Sequence, residues 1–240
     1  SSLMGIVHET GHARYEQGLP RHLLGQPVAE ARSMAIHESQ SLFCEMQLGH
    51  HPAFLALLAP RIRHHFGEQA AFAPDNLAKL YSRVEPGFIR VDADEVTYPA
   101  HVILRYELER DLVEGKIEVA DIPELWDTKM QQWLGLSTKG NYRNGCMQDI
   151  HWTDGSFGYF PSYTLGAMYA AQLRFALEKE LGSMGEVIAA GRLQDIFGWL
   201  GRNIWSQGSL HSTDELVRRA TGEALNPHWL RQHLEQRYLK

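Results

Sequence analysis

The chain has 240 residues, of which 44% are hydrophobic and 22% charged, and this composition is typical of a soluble globular protein with a sizeable core. A formal net charge of −6 argues against a nucleic-acid partner, and no run approaches the roughly 18 apolar residues of a membrane span. The two cysteines, Cys44 and Cys146, are too few for a disulfide framework and predict a reducing, cytoplasmic setting.

The first predicted helix, residues 3–17, carries the pattern H-E-x-x-H. Because residues i and i+4 share one face of a helix, His8 and His12 can offer imidazole nitrogens to one metal ion. Glu9 lies beside them, where a carboxylate can act as general base toward a water molecule. The alternative is a chance match on a solvated helix face. Apolar residues before the motif, and Gly11 as a point of close backbone approach, favour the metal site.

A second helix is predicted over residues 29–48 and supplies a third ligand. Glu38 follows His12 by 26 residues, which leaves room for a loop and half of a returning helix. An antiparallel neighbour of the first helix can therefore place this carboxylate at the metal, and two histidines with one glutamate are a known catalytic zinc set. The alternative is an ordinary exposed glutamate. The upstream motif favours the ligand.

The rest of the chain predicts one mainly α domain with a small β element. A strand or extended pair is predicted at 88–98, after Pro86-Gly87, and a glycine-rich loop at 135–162. Helical composition between proline and glycine signals predicts the remaining helices at 53–66, 75–83, 99–114, 123–134, 163–181, 184–190, 193–206, 213–221 and 227–238.

Four motifs together resemble those of the H-E-x-x-H zinc carboxypeptidases of the carboxypeptidase Taq family: HETGH at 8–12, HESQ at 37–40, IRVDAD at 89–94 and GCMQDIHW at 145–152. The resemblance implies a cytoplasmic, homodimeric metallocarboxypeptidase that acts on peptides with a free C-terminus. It also implies a mainly helical, neurolysin-like zincin fold and a Zn²⁺ cofactor, although Co²⁺ or another divalent ion suits the same ligands.

The same resemblance implies that Arg90 and Gln148 bind substrate. Arg90 matches the family's arginine near the substrate's C-terminal carboxylate, which a guanidinium fork suits. The alternative for Arg90 is a surface salt bridge with Asp92 or Asp94. Gln148 belongs to the last motif, in which Asp149 is a candidate for orienting an imidazole.

Three further residues of the loop region are candidates for the chemistry. His151 can donate to the oxyanion or to the substrate backbone, and by the family's pattern Tyr163 is the preferred oxyanion donor. Tyr159 is assigned to substrate binding. Aromatic packing is the alternative for Tyr159, and packing is the preferred interpretation for Trp152.

Two signatures of the family, H-P-F and D-x-R-x-T, precede its zinc helix and do not occur here, and the family's chains are longer. Residues 1–240 are therefore expected to be the C-terminal, zinc-binding catalytic half, with an N-terminal half missing and with activity of this half alone in question. Two alternatives stay open. One is a zinc oligopeptidase or endopeptidase, and the other is a catalytically silent metal-binding or dimerisation module.

Overall fold

Proline and glycine mark the ends of many helices in this fold. Pro52 and Pro74 occupy first helical turns, where an N–H would have no partner, while Gly135 adopts a left-handed conformation just after a helix. The computed structural model describes residues 2–239, and this part of the chain contains no β-strand. Its α-helices are α1 (Ser2–Gly18), α2 (Met34–Leu42), α3 (Pro52–Phe66), α4 (Pro74–Tyr81), α5 (Tyr98–Val113), α6 (Ile122–Leu134), α7 (Pro161–Leu181), α8 (Met184–Ala189), α9 (Leu193–Asn203), α10 (Thr213–Thr221) and α11 (His228–Tyr238).

The mainly α fold is confirmed, but the predicted helix at 29–48 is shorter and less regular than expected. Helix α2 begins only at Met34, because Ser33 adopts φ 42° and its hydroxyl accepts a hydrogen bond from the Ile36 amide. After α2, Phe43–Gly49 continues as a π-helix. Such segments are often found at functional sites because the wider turn redirects side chains.

The contacts divide the chain into two units, whereas the sequence pattern predicts one domain. The first unit contains the chain up to Ser82 and from Leu165 onward, and the second contains Arg83–Thr164. The first unit therefore consists of two separated stretches of sequence.

The core of the first unit holds α1 and α2 in place. Tyr15, Ile36 and Phe43 are fully buried, and they belong to one cluster with Leu173 and Leu177 of α7. Burying each of these side chains stabilises the fold by on the order of 2 kcal/mol. The same core extends to α8, α9 and α10, so helices from both ends of the chain support α1 and α2.

The second unit is organised around α5 and α6. Leu104 and Leu108 of α5 pack with Trp126 and Met130 of α6, and all four are buried. The buried carboxylate of Glu109, also on α5, fastens the glycine-rich loop. It accepts hydrogen bonds from the Trp152 indole at 2.7 Å and from the Gly158 amide. As predicted, Trp152 packs against the core.

The predicted β element at 88–98 is wrong. Arg90–Asp92 forms a single 3₁₀ turn, and a further turn leads into α5. Two of the main-chain groups that a neighbouring strand would pair are bonded to one amide side chain, and others close local turns. The Arg90 amide donates to Gln148 Oε1 and the Phe88 carbonyl accepts from Gln148 Nε2. The carboxylate of Asp94 then caps the next turn by accepting from the Thr97 amide.

Candidate functional site

Three side chains of metal-ligand type converge in the first unit. His8 and His12 lie one turn apart on α1, and Glu38 faces them from α2. Each histidine Nε2 is 3.8 Å from Oε2 of Glu38. One ligand atom from each residue lies within 4.8 Å of the other two. The structure thus brings together the three residues that the sequence predicts as ligands.

Two glycines allow the helices to approach closely enough for this convergence. A Cβ on Gly11 would lie 2.6 Å from the Cα of Ser41, so α1 and α2 touch backbone to backbone. A Cβ on Gly166 of α7 would lie 2.7 Å from the Cβ of Glu38. Ordinary carbon–carbon contacts begin near about 3.5 Å, so neither position has room for a side chain.

The other ring nitrogen of each histidine is held by a neighbour. Nδ1 of His8 lies 2.8 Å from Oε2 of Glu45, which the π-helix presents. Nδ1 of His12 lies 2.6 Å from Nδ1 of His37. Because Nδ1 is engaged in both rings, Nε2 is the nitrogen left to face Glu38.

The carboxylates shift the pKa values of the two histidines in different directions. Burial acts to lower the pKa of His8, but the hydrogen bond and charge of Glu45 and the charge of Glu38 outweigh it and raise the pKa. For His12 burial prevails and lowers the pKa, with the neighbouring His37 adding to the effect against the charge of Glu38.

The donor set fits a divalent metal ion. Two imidazoles and a carboxylate are the protein ligands of several catalytic zinc sites. Tetrahedral ligands about 2.1 Å from a common ion lie about 3.4 Å apart. The two distances to Glu38 are 3.8 Å, and all three ligand atoms lie within 4.8 Å of one another, so side-chain adjustment brings the set to an ion. Glu9 is exposed and stands outside this set, and its charge adds only the smallest of the contributions that act to raise the pKa of His8 and to oppose the lowering at His12.

The second unit contains the candidate substrate residue Arg90, which is only 6% exposed. Its Nε donates to Oδ1 of Asp149 at 2.9 Å, and its Nη1 donates to the Tyr98 hydroxyl at 2.6 Å. The alternative of a surface salt bridge with Asp92 or Asp94 is wrong, because the ion pair is buried and its partner is Asp149.

Asp149 joins two arginines. Besides Arg90, it accepts from Nε of Arg105 at 2.5 Å, and Arg105 is fully buried. Burial acts to raise the pKa of Asp149, but the charges of Arg105 and Arg90 outweigh it and lower the pKa. In the described residues its carboxylate pairs with guanidinium groups, so the expectation that it orients an imidazole is wrong. Three charges, two positive and one negative, leave this cluster net positive.

His151 and Tyr163 form a hydrogen-bonded pair in the same unit. Nε2 of His151 lies 3.1 Å from the Tyr163 hydroxyl. The Tyr159 ring packs against both, with ring centres 5.6 Å and 5.3 Å away. Burial and the positive charge of Arg90 lower the pKa of His151, so its imidazole is neutral near pH 7. Gln148 supports this region by bonding the main chain at Phe88 and Arg90.

Sequence reasoning missed three residues that hold the others in place. Glu45 fixes His8, His37 contacts His12, and Arg105 binds Asp149. A signal existed for Glu45, which follows Glu38 by seven residues, two helical turns, although the π-helix alters the register. An arginine within the apolar run of α5 was a weaker signal for Arg105.

Comparisons with known proteins agree over nearly the whole chain. A model of the family described as "Carboxypeptidase Taq (M32) metallopeptidase" matches residues 1–238. The chain is 41% identical over 238 residues to thermostable carboxypeptidase 1 of Thermus thermophilus and 37% identical over 239 residues to carboxypeptidase 1 of Bacillus subtilis, with 99% of this chain covered in each case. It spans 46% and 48% of those two proteins, about half of their length.

Solved structures show the same similarity. Metallocarboxypeptidase 1 of Trypanosoma cruzi matches with a TM-score of 0.97 and 52% identity, over 100% of this chain and 50% of that chain. A Pyrococcus furiosus carboxypeptidase matches with a TM-score of 0.92 and 36% identity, over 98% of this chain and 47% of that chain. Within residues 2–239, no helix has the length and apolar character needed to cross a membrane.

Proposed function

Since the chain belongs to the carboxypeptidase Taq (M32) family of metallopeptidases, we propose that it is the zinc-binding catalytic part of a carboxypeptidase that hydrolyses the C-terminal bond of peptides. One observation carries the proposal. His8, His12 and Glu38 converge within 4.8 Å, and Glu9 belongs to the same helix as the two histidines. The similar proteins of Thermus thermophilus and Bacillus subtilis are named carboxypeptidases, and this supports the substrate class.

The metal is held by His8, His12 and Glu38 in this proposal, with Zn²⁺ as the expected ion and Co²⁺ as a substitute. When bound, such an ion polarises a carbonyl oxygen and lowers the pKa of a water. Glu9 is the general base. Its exposed carboxylate takes the proton of the attacking water and passes it to the leaving amine.

The second unit is proposed to supply substrate contacts. Arg90 recognises the C-terminal carboxylate of the peptide, for which the net positive cluster around Asp149 is suited. Gln148 contributes by holding the Arg90 segment, and Tyr159 flanks the bound peptide.

His151 and Tyr163 have the remaining catalytic role in the proposal. The Tyr163 hydroxyl donates a hydrogen bond to the tetrahedral oxyanion. His151 is neutral, and its single N–H, on Nε2, donates to the Tyr163 oxygen and so orients that hydroxyl toward the oxyanion. A donor that is already oriented needs no reorganisation when charge develops on the substrate.

The test measures bound zinc and peptide turnover on the same sample of the 240-residue chain. N-blocked peptides with a free C-terminus are compared with the same peptides amidated. A carboxypeptidase releases a single residue from the free acids and leaves the amides intact. Cleavage of the amides at an equal rate would instead identify an oligopeptidase or endopeptidase. Stoichiometric zinc with no turnover of either substrate, even after the N-terminal half of a similar carboxypeptidase is added, would identify a metal-binding or dimerisation module.

The family resemblance also supports a cytoplasmic homodimer. A dimer of this chain would have twice its mass of 27.3 kDa. Light scattering on the purified chain distinguishes monomer from dimer. A single species at the monomer mass would contradict the homodimer.

A further inference from the structure

His12 is the first member of a chain of three side chains that leads away from the metal ligands. Its Nδ1 lies 2.6 Å from Nδ1 of His37, and Nε2 of His37 lies 2.7 Å from Oε1 of Glu16. His12 and Glu16 are one turn apart on α1, while His37 belongs to α2 and bridges them. Helix α2 therefore supplies Glu38 and, one residue earlier, a side chain that contacts the ligand histidine.

The hydrogen bonds permit one consistent set of tautomers. If Nε2 of neutral His12 offers its lone pair toward the ligand cluster, the ring proton resides on Nδ1. That proton is donated to Nδ1 of His37, which must then be the unprotonated nitrogen. The proton of His37 is accordingly on Nε2, and it is donated to the carboxylate of Glu16. Each ring nitrogen has one role, and the negative end of the series is a carboxylate.

We propose that His37 and Glu16 are positioning residues that fix the tautomer and orientation of His12 and so strengthen divalent-metal binding. The inference rests on the metal site of the proposed function and adds two residues outside its ligand set. A partner on the second ring nitrogen makes an imidazole a better ligand because it fixes the ring and increases its basicity.

The two ligand histidines are supported differently. His8 reaches a carboxylate directly, since its Nδ1 is 2.8 Å from Glu45, whose side chain is 19% exposed. His12 reaches the carboxylate of Glu16 only through a second imidazole, and that carboxylate is 54% exposed. Solvent weakens the effect of an exposed charge. The hydrogen bond from His12 to His37 should therefore matter more for metal affinity than the charge of Glu16.

The competing explanation is that His37 only fills space between α1 and α2. Its side chain is 15% exposed, and its ring contacts the Tyr15 ring edge-on with centres 5.3 Å apart. Two substitutions separate the explanations. His37→Phe keeps a ring of similar size but removes the acceptor, whereas His37→Asn loses the ring but retains an oxygen close to the position of Nδ1.

The experiment measures the Zn²⁺ dissociation constant of the 240-residue chain by competition with a chromophoric chelator at neutral pH. His37→Phe is expected to weaken binding by about 10- to 100-fold. His37→Asn should keep most of the native affinity, and Glu16→Gln should show a smaller loss than His37→Phe. The matched control is His22→Phe, which replaces an exposed histidine of a separate 3₁₀ turn and should bind as the native chain does.

Two further measurements distinguish a positioning role of His37 from a loss of stability or of the ligand set. The thermal midpoint of the metal-free His37→Phe variant should stay near the native value. The Co²⁺ complex of the same variant should keep the native visible absorption, because His8, His12 and Glu38 still ligate the ion.

Native affinity in His37→Phe, or equal losses in His37→Phe and His37→Asn, would overturn the proposal. If His37→Phe does not fold, Glu16→Gln decides, and native affinity in that variant is then the contrary result. Failure of the unmutated chain to bind Zn²⁺ or Co²⁺ would overturn the metal site itself. Metal binding by the unmutated chain is measured before any variant is compared. Its failure is therefore distinct from failure of the proposed roles of His37 and Glu16.

Discussion

Replacing Gly11 with alanine is a direct test of how the ligand cluster is built. The new Cβ would lie 2.6 Å from the Cα of Ser41 and 2.8 Å from the carbonyl carbon of Gln40. Both neighbours are backbone atoms, so no side-chain rotation relieves the overlap. Since ordinary contacts begin near about 3.5 Å, α1 and α2 must separate locally by about 1 Å. Glu38 lies within one turn of Ser41 and would move away from the histidines.

The free-energy cost of overpacking at Gly11 can be isolated with a matched control on the same helix. Gly11→Ala gains about 1 kcal/mol in helix propensity and loses about 1–3 kcal/mol through overpacking. A Cβ on Gly5 meets no atom within 4 Å, so Gly5→Ala gains the propensity alone. The difference between the two variants is then the overpacking cost of about 1–3 kcal/mol. For a chain of this size each kcal/mol shifts the melting temperature by about 2–4 °C.

The assay is urea and thermal unfolding of both metal-free variants, followed by Zn²⁺ titration of each. Gly11→Ala should unfold at lower urea than Gly5→Ala and bind zinc more weakly than the native chain. Gly5→Ala should bind zinc as the native chain does. Equal stabilities and equal zinc affinities in the two variants would refute the argument that backbone contact at Gly11 sets the position of Glu38.

Four other substitutions test separate parts of the site and fold. Glu38→Gln should lose zinc by elemental analysis, whereas Glu9→Gln should retain zinc and lose turnover; zinc retention in Glu38→Gln would remove that residue from the ligand set. Burial and the charge of Arg105 lower the pKa of His101 to about 4, from an ordinary value of 6.5. The unfolded chain therefore takes up this proton at higher pH than the folded chain, and the free energy of unfolding should fall by about 3 kcal/mol as the pH drops from about 6.5 to about 4. His101→Gln should lack this part of the slope in urea unfolding, and an unchanged slope would contradict the reasoning. Glu109→Gln places an amide donor against one of the two donors that Glu109 accepts from, the Trp152 indole or the Gly158 amide. The free energy of unfolding should fall by about 1–3 kcal/mol in urea. Native stability would contradict the idea that Glu109 holds the glycine-rich loop.

The local features of this protein followed from its sequence alone. Proline in first turns and glycine after last turns mark many helix ends, because each of these residues sets the backbone conformation at its own position. The spacing of His8 and His12 places both on one helix face for the same local reason. Four motifs at compatible spacing were sufficient for the family resemblance, which the later comparisons support over residues 1–238.

Other features depended on partners far away in the chain. The segment at 88–98 has the composition of a strand, yet its main chain is bonded by Gln148, 60 residues after Phe88. Asp149 was a plausible partner for an imidazole until the fold placed two buried arginines against it. Single-sequence patterns contain no information about such pairs, because each partner lies in a different local context.

The set of three candidate metal ligands combines local features with features that depend on distant partners. The ligand types and the helical spacing are local, so the sequence was enough to propose His8, His12 and Glu38. The Nδ1 partners of the histidines, the backbone contact at Gly11 and the π-helical turn that presents Glu45 appear only when α2 packs against α1. Tertiary packing decides these features because hydrogen-bond geometry and close contact depend on distances of a few tenths of an ångström between helices, and no pattern within one helix sets those distances.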